Sequence, residues 1–146
     1  MTKRTHQLRL IMTVVIGIVI HVGCNSGHSH DHHSHAESGI VLNSGHKWQV
    51  NPEMKPHIEK AQRMLEDYEN SGEGSYRQLA EDLQTQNEAL IQSCTMKGDS
   101  HDQLHKWLHP HIQLVEELAA ANNPEEAEEI VARIEDSFHL YHHFFE

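Results

Sequence analysis

From Asn51 onward the apolar residues recur every three to four positions, in four runs separated by glycine, asparagine and proline. That period belongs to helices and not to strands. A chain patterned this way buries its apolar surface only by packing helix on helix. The first expected helix covers 52–70, with Asn51 as its cap and Pro52 at its first position. Pro56 leaves the true start open by one turn. The second covers 75–95 and stops before Gly98. The third starts after Ser100, where Ser100 and Gln103 have the spacing of a capping box, and ends near Ala121. Pro110 falls inside it, removes the bond to the Lys106 carbonyl and predicts a kink. The fourth covers 124–144, with Pro124 opening it and Glu125 and Glu126 in its first turn.

At 100° per residue each helix has one apolar face. Met54, Ile58, Ala61, Met64, Leu65 and Tyr68 share the first. Tyr76, Leu79, Leu83, Leu90, Ile91 and Cys94 share the second. The third gathers Leu104, Leu108, His111, Val115 and Leu118, and the fourth Ala127, Ile130, Ile134, Phe138, Tyr141 and Phe145. Trp107 flanks the third stripe and reads as a packing residue. Four such helices with short connections predict an all-α, antiparallel up-down-up-down four-helix bundle over 51–146.

The N-terminus has a different character. Lys3, Arg4 and Arg9 precede an apolar run over 10–20, the layout of a secretory signal peptide. The run is short for a membrane span, although an uncleaved anchor is the alternative. It ends in His21-Val22-Gly23-Cys24, which resembles the lipobox of bacterial lipoproteins. The resemblance implies removal of 1–23, acylation of Cys24 and a stable lipid anchor. Asn25 after the cysteine resembles the pattern of an outer-membrane destination, reached from the periplasm.

Removal of 1–23 takes away three of the 11 basic residues and none of the 22 acidic ones. An acidic chain of this kind excludes nucleic acid as a partner, which needs clustered Lys and Arg. Two cysteines, one of them the expected acylation site, exclude a disulfide framework. No glycine-rich phosphate loop, nucleophile elbow or HExxH helix is present, and no oriented nucleophile points to an enzyme.

The 16 histidines exceed Lys and Arg together. Imidazole is the commonest protein metal ligand. Residues 24–50 read as a flexible tether, rich in Ser, Gly and His, with too little apolar area to offset its ordering entropy. Trp48 is the one residue there suited to docking it. Within it His28, His30, His32, His33 and His35 form a tract that reads as metal-binding by composition, the alternative being a hydrophilic spacer.

A second set follows from the predicted topology. The start of helix 1, the end of helix 2, the start of helix 3 and the end of helix 4 share one pole. They carry Met54 and His57, Cys94 and Met96, His101 and His105, and His142. His101 and His105 are four apart and can chelate one ion. His109, His139 and His143 are expected to face solvent, and His111 to be a hydrogen-bonded core residue. Cys94 reads either as a buried small hydrophobe or as a thiolate ligand. Thiolate and thioether favour Cu(I), and Cys with His also suits Zn. The stretch 94–108 resembles uncharacterised secreted helical proteins associated with copper and heavy-metal handling.

Met54 near the start of helix 1 and His142, after Tyr141, near the end of helix 4 give 52–146 a resemblance to the four-helix periplasmic b-type cytochromes. It implies haem b held between Met54 and His142, and an electron carrier. The preferred reading is capture, sequestration, transfer or sensing of copper or zinc by a lipid-anchored periplasmic protein. Metal-efflux or metal-transfer proteins are its expected partners. A structural or signalling helical lipoprotein is the remaining alternative.

Overall fold

A computed structural model of the chain describes residues 38–71 and 74–146. The expected signal peptide, Cys24 and the histidines of 28–35 lie outside the described residues. Those described form four helices: α1 (Lys55–Ser71), α2 (Tyr76–Ser93), α3 (Asp99–Ala120) and α4 (Pro124–Phe144). Among the described residues there is no strand, only isolated bridges between Asn43 and His46 and between Trp48 and Phe145. No helix among them is long and apolar enough to cross a membrane.

The helix ends follow local chemistry. Ser75 caps α2 by accepting a hydrogen bond from the Arg77 N–H at 3.2 Å. The Asn123 Oδ1 caps α4 by accepting from the Glu126 N–H at 2.9 Å, with Pro124 next in line. Glu126 closes the loop from the other side. Its carboxylate accepts from the Asn122 backbone and side-chain N–H groups at 2.9 and 3.0 Å, which hold the carboxyl below the usual range.

Two expected caps do not form. Asn51 does not cap α1, which starts one turn later at Lys55. Its side chain instead reaches the exit of α2, donating to the Ser93 carbonyl at 2.9 Å and accepting from the Thr95 N–H at 3.1 Å. The Ser100–Gln103 capping box is absent as well. α3 is preceded by Gly98, which offers no side chain, Ser100 donates back to the Lys97 carbonyl, and Gln103 serves a different segment. A tertiary partner outcompetes the local one in both places.

The helices pack in sequence order, α1 on α2, α2 on α3 and α3 on α4, and α1 meets α4. The result is a four-helix bundle. Met54, Leu83, Leu104, Leu118, Ile134, Val115, Trp107 and Phe145 fill its centre. The expected stripes pack into the core, with Met64, Tyr68, Tyr76 and Cys94 half-buried against it, and with one exception. Ile91 is half exposed, and the polar Gln86 and Asn87 are buried on α2 in the part of the helix facing its neighbours. α3 runs unbroken through Pro110.

The end contacts define the poles. The Tyr76 hydroxyl, at the start of α2, donates to the Ala121 carbonyl just beyond α3. Asn51 ties the approach to α1 to the exit of α2. The Trp48 N–H donates to the Phe144 carbonyl at 2.8 Å, and the Val50 N–H to the Glu146 carbonyl at 3.0 Å.

Those last bonds correct the expected tether over its described part. Residues 38–50 lie against the helices. Ile40 and Val50 are buried in the core. The Val41 N–H donates to Gln103 Oε1 at 2.9 Å, the Lys106 ammonium to the Gly39 carbonyl at 2.8 Å, and the Trp48 indole to the Val41 carbonyl at 2.6 Å. The composition of the segment is polar. Three aliphatic residues, Ile40, Leu42 and Val50, and one tryptophan dock it, and its backbone groups find partners.

Candidate metal centre

α3 carries histidine at 101, 105 and 109, each four residues after the last. That spacing advances only about 40° per step, so the three rings stand over one another along one strip. The His101 Nε2 and His105 Nε2 lie 3.0 Å apart. The other nitrogen of the same ring, His105 Nδ1, lies 2.9 Å from His109 Nε2. The ring centroids are 4.3 and 4.7 Å apart and the rings meet edge to face. His105 is therefore the middle rung of a three-imidazole ladder.

The electrostatics favour the neutral form of the middle rung. Partial burial lowers the pKa of His105 from its ordinary value, and the neighbouring His101 and His109 lower it further, against a smaller opposing effect of Asp102. His101 Nδ1 lies 4.0 Å from the Asp102 carboxylate. A proton held there leaves the His101 Nε2 lone pair facing His105. Two nitrogens 3.0 Å apart, each about 2.0–2.1 Å from a shared ion, subtend roughly 90° at it. That is the cis angle of a tetragonal or octahedral site and is narrower than a tetrahedral one.

His101 and His105 are thus brought together as expected, and His109 joins them. Its exposure fits the expectation. Its contact with His105 adds to that expectation, because a residue pointing away from the apolar stripe still lies next to the ring one turn earlier. The signal was present in the sequence as a third histidine at the same spacing.

The other expected ligands stand apart from the ladder. Among the described residues no hydrogen bond, ring contact or ion pair links them to it. Met54 is fully enclosed in the core, and its N–H donates to the Asn51 carbonyl. Cys94 is a free, half-buried thiol at the C-cap of α2, beside the Ser93 and Thr95 groups that Asn51 holds. Met96 packs half-buried against the core. His57 sits half-buried on the first turn of α1. His142 lies on the surface with its Nε2 3.0 Å from Gln62 Oε1. Burial, with Lys47 and His139 nearby, lowers its pKa. His139 and His143 are exposed, as expected. Among the described residues no group of three or more His, Cys, Asp or Glu side chains is arranged to enclose a metal ion. The ladder offers pairs and not a cage.

The buried His111 is separate again. It stacks on Trp107 and meets Phe138 edge-on, with ring centroids 4.9 and 4.8 Å away. Its Nδ1 lies 3.0 Å from the Ser137 hydroxyl, and burial pushes its pKa down to about 4.

Comparison with family models, curated proteins and solved structures finds no match to this chain.

Proposed function

We propose that this chain is a lipid-anchored periplasmic protein that binds copper or zinc for capture, sequestration, transfer or sensing. The observation that supports this reading best is the α3 ladder, with two imidazole nitrogens held 3.0 Å apart on a partly exposed helix face. Two imidazoles from one helix bind an ion as a chelate and leave its remaining positions open. An open site suits an ion that is to be passed on, as opposed to a closed structural site. The angle available at the pair favours Cu2+ over tetrahedral Zn2+. The histidines of 28–35 add loose capture without imposed geometry. In this reading the helices form an antiparallel up-down-up-down bundle anchored through an acylated Cys24, in the outer membrane.

Haem ligation by Met54 and His142 fits the side chains poorly. Met54 is enclosed by core packing, whereas His142 is at the surface and engaged with Gln62. Catalysis is not part of the proposal.

The test is metal retention by the full chain with the five histidines of 28–35 replaced by Ser. After loading with Cu2+ or Zn2+ and desalting, the ladder should retain an ion, and His101→Ala with His105→Ala should lose it. Equal retention with and without that pair would overturn the assignment. Affinity should fall below about pH 6.5, because imidazole must be neutral to bind.

A further inference from the structure

The ladder presents four facing nitrogens but three rings. His105 uses both of its nitrogens, Nε2 toward His101 and Nδ1 toward His109. A neutral imidazole has one lone pair in the ring plane and one N–H. His105 can therefore give a lone pair to one side at a time. We propose that α3 holds two overlapping, mutually exclusive sites for one divalent transition-metal ion, His101–His105 and His105–His109, selected by the tautomer of His105. This rests on the metal-binding reading above and adds a ligand, His109, and a stoichiometry.

Each occupied state completes its own outer shell. With the ion on His101 Nε2 and His105 Nε2, the proton of His105 is on Nδ1 and donates to His109 Nε2. With the ion on His105 Nδ1 and His109 Nε2, that proton is on Nε2 and donates to His101 Nε2. The ring left without metal accepts the hydrogen bond that fixes the tautomer of the ring that binds. Such outer partners orient ligating histidines and sharpen affinity. The two contacts are nearly equal, 3.0 and 2.9 Å, so neither site is favoured by distance. Passing between them moves the ion along the helix by about one turn while one ligand ring stays in place.

The test uses Ni2+, which accepts the same angle and, unlike Cu2+, does not oxidise the free Cys94 thiol. The protein is the full chain with the histidines of 28–35 changed to Ser, and binding is followed by equilibrium dialysis. One Ni2+ should bind per ladder. His101→Ala and His109→Ala should each keep one ion with affinity lowered about 10-fold, because one site survives without its outer partner. His105→Ala destroys both sites and should lose about 100-fold or more, because only single imidazoles remain. All three are exposed or half-exposed helix positions where alanine is well tolerated, and circular dichroism checks the fold. A silent His109→Ala, together with a His101→Ala loss as large as that of His105→Ala, would overturn the second site and leave the first. Two ions per ladder would overturn mutual exclusion. Binding no stronger than that of the triple alanine variant would overturn the metal-binding reading itself.

Discussion

His111 is a histidine in the interior of a helical bundle, 1% exposed, with one ring nitrogen facing Ser137 and the other, Nε2, without a hydrogen-bond partner. The protonated ring carries an N–H on both nitrogens, and the one at Nε2 has no acceptor, so the folded state resists protonation. Its pKa falls from 6.5 to about 4 on folding. The unfolded chain then binds a proton that the folded chain refuses. Stability is full above pH 6.5, declines as the pH falls toward 4, and declines no further from this group below that. Urea unfolding of the metal-free protein should show about 2 kcal/mol less stability at pH 5 than at pH 7. His111→Phe keeps the ring and should remove most of that difference. The position of His111 on the apolar stripe is legible in the sequence. Its partner Ser137, 26 residues away, is not. Asn51 makes the same point. Its two bonds to the exit of α2 join residues more than 40 apart, and Asn51→Ala should cost about 1–2 kcal/mol in thermal or denaturant unfolding.

At the level of elements, the four helices and their breaks follow from periodicity, and their ends agree with the expected ones to within a few residues. The reasons for those ends do not always agree. α3 begins after Gly98, whose φ of 66° and ψ of −151° lie in a region open essentially to glycine alone. A Cβ at that position would meet nothing within 4 Å, so any penalty comes from the backbone and not from crowding. Gly98→Ala should therefore destabilise the fold by about 1–3 kcal/mol, measured by denaturant unfolding. A nearly neutral result would mean that the turn readjusts. The capping box at Ser100 failed as a predictor because Gln103 is claimed by the Val41 N–H, 62 residues earlier. A capping motif states what two side chains can do locally and nothing about their competitors.

On the scale of the whole molecule, the decisive feature is that residues 38–50 belong to the folded body. They bridge α3, through Gln103 and Lys106, and the C-terminal end, through Phe144 and Glu146. Ile40, 5% exposed, is the apolar pin of this segment. Ile40→Ala should cost about 2 to 5 kcal/mol if the pin is rigidly enclosed. Limited proteolysis should then cut first within 38–47, and the Trp48 and Val50 amides should lose protection from hydrogen exchange. If the segment were instead a free tether, neither stability nor cleavage would change.

The sequence by itself determined an all-helical chain with four amphipathic segments, most of the core, and the i, i+4 pairing of His101 with His105. All of these are local properties, set by a 3.6-residue period that any single segment displays. Only the tertiary structure decided which polar groups leave their local partners for distant ones, that 38–50 docks, that Ile91 faces out while Asn87 is buried, and that Met54 is enclosed at a place where a ligand was expected. Those outcomes depend on which surfaces meet and how fully they close. A buried donor or acceptor must find a partner wherever the fold supplies one, and the sequence does not list the candidates.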